Sequence, residues 1–505
     1  MKSVRERITL GFLLPALLVI AAACLPSWTS RQEMASPQEV IARLDKSIPD
    51  LMAKARIPGL SIALIWDGAI VWQKGYGVKN AKTGDPVDQN TIFEAASLTK
   101  PFFAYLAMKM VESGELDLDK PLHEYVPRDL LESGLQHPLD YPGFRADWLQ
   151  RITARMVLSH SSGLPHGQRG KPFPILFEPG SKFSYSADGY FYLQKVIEHL
   201  KGEPLEEIMR KRVLEPLGMT HSSMVWKDEY TASAAVGHGM LGTTTGEPRK
   251  YTNAHAAASL YTTAGDYTKF VVAVLNNVGL KSTTVKEMLT PQIDVGKNVT
   301  WSLGFGIEET SQGKAFWQWG DYGIFRNYAT AVKDKRIGVV YLTNSFNGLS
   351  IGPDIVKQAL GIEEDFGLTY LNYFRYDSEL AQFLSALTSM PIEEAVSLYR
   401  SIKAKDPNAL SEGMMNAVGY ELLRGGDQDK AIAIFKLNIE SYPRSANPYD
   451  SLGEAYERSG NKALAAEYYQ KALDAIPTDP TRDEASKQRF KETVKKNLER
   501  VKSGE

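Results

Sequence analysis

Cysteine is nearly absent: Cys24 is the single one in 505 residues, so no intrachain disulfide can brace the fold. Histidine is scarce too, with eight scattered residues and no HExxH, CxxC or similar grouping, which leaves no basis for a metal site. No Gly-rich phosphate loop follows a strand-like run, and no cofactor is expected. Neither sign of charge is in excess, since Lys+Arg 58 against Asp+Glu 60 gives a formal net charge of -2. Nothing therefore recommends nucleic acid as a partner. A long hydrophobic run occurs only from Ile8 to Ala23; it holds Pro15 and is a little short for a spanning helix.

What is present begins with that run. Lys2, Arg5 and Arg7 precede it, and Ala21-Ala22-Ala23-Cys24 follows, the order of a secretory leader over residues 1–24. The last four residues resemble the lipobox of bacterial lipoproteins, which implies a lipidated Cys24 and a lipid anchor on a membrane surface. Ordinary cleavage in the Ala-rich stretch is the alternative. Either way the chain is expected in the periplasm or cell envelope. Residues 25–38 read as a linker.

At this length there is room for about two to four domains. Asp67-Gly68 between the β-rich runs Leu60–Trp66 and Ala69–Gln73 predicts a hairpin. Ser97 to Glu112 is apolar at helical spacing, with Pro101 tolerated in its first turn. Tyr261 to Val278 reads as a further helix, and strand-like runs return at Trp301–Ile307, Phe325–Val332 and Ile337–Leu342. Strands at both ends of a helical middle predict one α/β domain with a mostly helical insertion.

The C-terminal part is different. Leu452-Gly453, Tyr456, Ala465, Tyr469, Ala472 and Pro477 recur after Val418-Gly419, Leu422, Ala431, Phe435, Asn438 and Pro443 at a period of 34. Residues 412–479 thus resemble two tetratricopeptide repeats, with Glu394–Pro407 as the second helix of a degenerate unit. Two repeats bury little by themselves, so they need a cap or a docking site on the rest of the chain. A groove for a protein or peptide ligand and a helical cap on the neighbouring domain are both open readings.

Ser-x-x-Lys occurs three times, at Ser97-Lys100, Ser311-Lys314 and Ser459-Lys462. Only Ser97 opens an apolar helix, where positions i and i+3 share a face and the lysine reaches the hydroxyl. A serine must lose its proton as it attacks, and a lysine of lowered pKa can take it. Around this pair, Ile92–Pro101, Val157-Leu-Ser-His-Ser-Ser-Gly-Leu164, Phe177–Ser186, Glu215–Met219, Ala257–Phe270 and Leu303-Gly-Phe-Gly306 accompany it in order. Together they resemble the serine β-lactamase and penicillin-binding-protein superfamily, in its class C-like and carboxylesterase branch, over roughly residues 40–350.

The resemblance implies a β-lactamase/transpeptidase-like α/β domain over 39–365. A helical linker or degenerate repeat (366–411), the α-helical repeat domain of two units (412–479) and a C-terminal helix or tail (480–505) follow. It implies Ser97 as acylated nucleophile, Lys100 as its base and Tyr185 as proton shuttle. His160 then becomes a structural loop residue. Ala187 stands where the family has an amide-binding asparagine. For the third motif, Trp319-Gly320-Asp321 is the counterpart, with Tyr322 giving the N–H that joins Ser97's own in an oxyanion hole. These residues imply a small ester, amide or peptide substrate, with an ester favoured. Turnover of D-Ala-terminated peptides, D-amino-acid peptides or β-lactams is the alternative, and a non-catalytic anchored scaffold is a third.

Overall fold

The computed structural model describes residues 35–135, 144–167 and 174–503. The expected leader and Cys24 lie outside the described residues. The described residues from Ser36 onward form one compact unit.

Helix α1 (Pro37–Ala55) starts inside the stretch expected to be linker, because Ser36 and Glu39 form a reciprocal capping box and Pro37 sits at the first position. Val40, Leu44, Ile48, Leu51 and Ala55 recur on one face and are buried. Among the described residues ten strands follow: β1 (Gly59–Trp66), β2 (Ala69–Gly77), β3 (Phe93–Glu94), β4 (Tyr261–Thr262), β5 (Ile293–Gly296), β6 (Val299–Trp301), β7 (Gly306–Thr310), β8 (Gly313–Asp321), β9 (Arg326–Val332) and β10 (Ile337–Thr343). Eight make an antiparallel sheet in the order β2-β1-β10-β9-β8-β7-β6-β5. The first strands therefore pair with the last, as strands flanking an insertion require. Asp67 (φ 48°) and Gly68 (φ 70°) form the β1–β2 turn, both in the left-handed region a two-residue hairpin demands.

The insertion carries α2 (Thr99–Glu112) and α3 (Asp188–Lys201), then α4 (Ala264–Asn276). Two sequence expectations shift here. Tyr261–Thr262 is a strand paired with β3, and α4 starts after it because Thr263 caps Asp266 N–H. Leu303–Phe305 is a turn rather than strand, since Gly304 (φ 104°) abuts α2 and donates to Leu158 O. Helix α2 is buried almost all round and forms the centre of the main core with Phe270, Phe305 and Phe316.

Beyond the sheet come α5 (Gly352–Leu360) and α6 (Phe366–Leu371). The repeat region supplies α7 (Glu379–Ser389), α8 (Ile392–Lys405), α9 (Glu412–Arg424), α10 (Gln428–Ser441), α11 (Asn447–Arg458), α12 (Lys462–Ala475) and α13 (Glu484–Ser503). The 34-residue period has a direct packing cause. Gly419 and Gly453 admit the rings of Phe435 and Tyr469, which a Cβ would meet at 2.4 and 2.7 Å. The repeats do not stand alone: Met240 and Leu241 of the catalytic region enter their core. Glu421 on α9, 2% exposed, accepts from Leu241 N–H, Thr243 N–H and the Thr243 hydroxyl at 2.9, 3.1 and 2.8 Å. The first repeat is thus a cap docked on the catalytic region. Among the described residues, no helix is long and apolar enough to cross a membrane.

Candidate active site

Ser97 lies in a single 3-10 turn, Ala96–Leu98, that leads into α2. The preceding Ala96 is held at φ 50°, a strained conformation for alanine. Surrounding bonds fix it: the Thr99 hydroxyl donates to Ala96 O and accepts Leu260 N–H, while the Tyr267 hydroxyl donates to Leu98 O. The turn lifts Ser97 to a half-buried position while Lys100, one helical turn on, is 1% exposed.

Lys100 Nζ donates to Ser97 Oγ at 3.0 Å and to Ala257 O at 2.9 Å. Burial pushes the ammonium down to about 7, partly opposed by the negative charge of buried Asp188 at the start of α3. The Tyr185 hydroxyl lies beside Ser97 and accepts from Gln318 Nε2 at 2.9 Å, and its ring lies 4.8 Å from Lys100 Nζ. Burial holds that phenol well above its ordinary value. His160 is fully buried, accepts Ser186 N–H at Nδ1 (3.0 Å) and packs against the Tyr185 ring at 4.2 Å. Desolvation and the nearby Lys100 keep its imidazole neutral. It steadies the tyrosine loop and has no bond to Ser97.

The other two Ser-x-x-Lys pairs are elsewhere. Ser311 is an exposed turn residue whose hydroxyl donates to Gly361 O, and Lys314 pairs with Glu309. Ser459 ends α11 with its hydroxyl on Tyr456 O.

The third motif sits one residue earlier than the sequence reading placed it. Gln318 Nε2 donates both to Ser97 O (2.9 Å) and to the Tyr185 hydroxyl. Gly320 is the close-approach position, since a Cβ there would stand 2.2 Å from Ala95 O. Gln318-Trp319-Gly320 therefore fills the three places. Trp319 flanks Tyr185 with ring centroids 4.7 Å apart.

Tyr322 is not the oxyanion donor: its N–H closes the β8–β9 hairpin on Phe325 O, and its hydroxyl donates to Ala258 O. In an antiparallel ladder successive N–H groups alternate sides. With Tyr322 facing β9, Asp321 N–H faces the opposite edge of β8, where pairing with β7 has ended at Trp317. The Asp321 carboxylate is engaged with Gly323 N–H, Arg326 and the Tyr373 hydroxyl. Sequence reasoning missed Gln318 and Asp188. Fixing the motif by its crowded glycine, Gly320, would have exposed Gln318. Asp188 had only the weak signal of an acid opening an apolar helix. Among the described residues no group of His, Cys, Asp and Glu is placed to hold a metal ion.

Residues 44–359 match the family model described as Beta-lactamase, and residues 446–479 that of a Tetratricopeptide repeat. The chain is 25% identical over 367 residues to Esterase EstB of Burkholderia gladioli, covering 62% of this chain and 92% of that protein. It is also 25% identical over 264 residues to Unguisins hydrolase ungD of Aspergillus violaceofuscus, covering 46% of this chain and 44% of that protein. The chain thus aligns with less than half the length of that relative. The solved D-alanine Carboxypeptidase AmpC from Burkholderia cenocepacia superposes with a TM-score of 0.55 at 21% identity, over 65% of this chain and 99% of that one. At that identity the likeness is one of fold. With the catalytic match spanning more than half of its length and the Ser97, Lys100 and Tyr185 side chains brought into contact within it, the chain belongs to the beta-lactamase family and carries that family's serine-hydrolase fold.

Proposed function

We propose that the chain is an exported serine hydrolase that cleaves small carboxylic esters through an acyl-enzyme on Ser97. The observation that carries this reading is the buried Lys100, lowered to about 7 and 3.0 Å from Ser97 Oγ, because it supplies a neutral base at ordinary pH. Lys100, with Tyr185 beside it, takes the serine proton as Oγ attacks the ester carbon. The N–H groups of Ser97 and Asp321 hold the oxyanion, and the leaving alcohol departs with the proton returned through Tyr185. Water then attacks the acyl carbon and releases the acid.

Ester rather than β-lactam or D-Ala-peptide chemistry is supported by three features. Ala187 offers no amide to a substrate N–H. Neutral Gln318 stands where a cation would hold a substrate carboxylate. The relative EstB is named an esterase. Export rests on the leader, and anchoring on Cys24 as the lipidated residue. The repeats are proposed to serve first as a cap on the hydrolase, with any protein ligand taken on surface the cap leaves open.

The test is burst-phase hydrolysis of p-nitrophenyl butyrate by the full chain. The expected result is an acyl-enzyme burst and complete loss in Ser97→Ala; turnover surviving that substitution would remove the assignment.

A further inference from the structure

The segment just after the matched catalytic region folds back on the catalytic sheet. Its helix α6 is fastened at the N-terminus. Asp365 accepts Leu368 N–H, and buried Glu308 on β7 accepts Phe366 and Gly367 N–H at 2.6 and 3.1 Å. Gly367 lies so close to Trp317 that a Cβ would meet the indole at 2.5 Å. From there the chain runs to the end of β8. The Tyr373 hydroxyl donates to Asp321 Oδ2 and lies beside the Trp319 indole. The Tyr373 ring lies 4.6 Å from the Arg326 guanidinium, whose Nε is 3.2 Å from the same carboxylate oxygen. Arg326 is itself pinned by donation to Phe346 O at 2.6 Å and by the Phe346 ring at 3.7 Å.

Asp321 is thus tied through its side chain while its backbone N–H faces the free edge of β8, the strand whose Gln318 bonds Ser97 O. Tether and donor belong to one residue, so displacing the carboxylate turns the peptide that must meet the oxyanion. Tyr373 also touches Trp319, the ring that flanks Tyr185. We propose that Tyr373 is a positioning residue for the oxyanion edge, so that a segment beyond the family match at 44–359 completes the active site. This rests on the Ser97 acyl-enzyme reading. It also gives the Asp321 carboxylate a role as the anchor for the arm, through Tyr373, Arg326 and Gly323 N–H.

The experiment compares the full-length wild type with Ser97→Ala, Tyr373→Phe, Asp321→Ala, Asp321→Asn and the Tyr373→Phe/Asp321→Ala double variant. The readouts are p-nitrophenyl butyrate kinetics, labelling by a fluorophosphonate probe, and melting temperature. Tyr373→Phe is expected to lower kcat about tenfold with KM changed less than about twofold and melting unchanged. Asp321→Ala should match it, the double variant should be no worse than the poorer single, and Asp321→Asn, which keeps an acceptor for Tyr373, should recover part of the loss. A Tyr373→Phe enzyme with kcat within about twofold of wild type, or losses that multiply in the double variant, would overturn the proposal. If Tyr373→Phe does not fold, the Asp321→Asn and Asp321→Ala pair decides, and equal kcat in the two overturns it. A wild type inert to ester and probe alike overturns the acyl-enzyme reading itself and the proposal with it. Burst and labelling lost only in Ser97→Ala uphold that reading, leaving Tyr373 to be judged separately.

Discussion

Lys100 is made a base by its surroundings, since the same residue type in the two other Ser-x-x-Lys pairs stays in solvent. Desolvation lowers it to about 7, and the charge of Asp188 keeps it from falling further. The neutral form accepts the serine proton, so ester turnover should rise with pH through about 7 and then stay level. The alkaline side is not cut short by Tyr185, whose phenol is held far above its ordinary value. A kcat/KM profile from pH 5 to 9 checks this; a flat profile would remove Lys100 from the base role. Lys100→Ala should cost roughly 10²–10⁴ in kcat at pH 8, the range for loss of a general base.

Between elements, the decisive contact is the one joining α9 to the 239–243 turn. Glu421 satisfies three donors there, and Gly239 is required beneath it because a Cβ would come within 2.3 Å of the carboxylate. Replacing Glu421 by leucine keeps the apolar packing but leaves buried N–H groups without an acceptor, at a cost of about 2–4 kcal/mol. Urea unfolding of Glu421→Leu is expected to show that loss, with proteolytic cleavage appearing between α6 and α9 before the catalytic sheet is attacked. Unchanged stability would mean that the cap holds through Met240 and Leu241 alone.

Across the whole molecule, the catalytic sheet and the C-terminal helices meet over two buried carboxyls, Glu308 and Asp365, near the Tyr328 hydroxyl. Burial raises both, and the Asp365 charge adds to the rise of Glu308, which reaches about 8. Acids raised in the folded state bind protons that the unfolded chain has already released. Their contribution to stability is therefore full below the ordinary carboxylate range and is lost as pH rises toward about 8. Denaturation midpoints should fall over that interval for the wild type and fall less for Glu308→Gln. An identical slope in the two would show that the pair does not titrate there.

Much of this protein was determined by sequence alone, because its signals are local or periodic. Asp67-Gly68 dictates a hairpin through backbone conformation, glycine and aromatic positions recurring every 34 residues dictate helical repeats, and Ser97 and Lys100 share a face because a helix turns every 3.6 residues. Tertiary structure decided what depends on strands distant in sequence. Which N–H of β8 faces Ser97 is set by pairing with β9, and a shift of one residue exchanges Asp321 for Tyr322. The contact of Gln318 with Tyr185 spans 133 residues, and that of Glu421 with Leu241 spans 180. No local pattern encodes either: the first arises when the insertion closes on the sheet, the second when the repeats dock on the catalytic region.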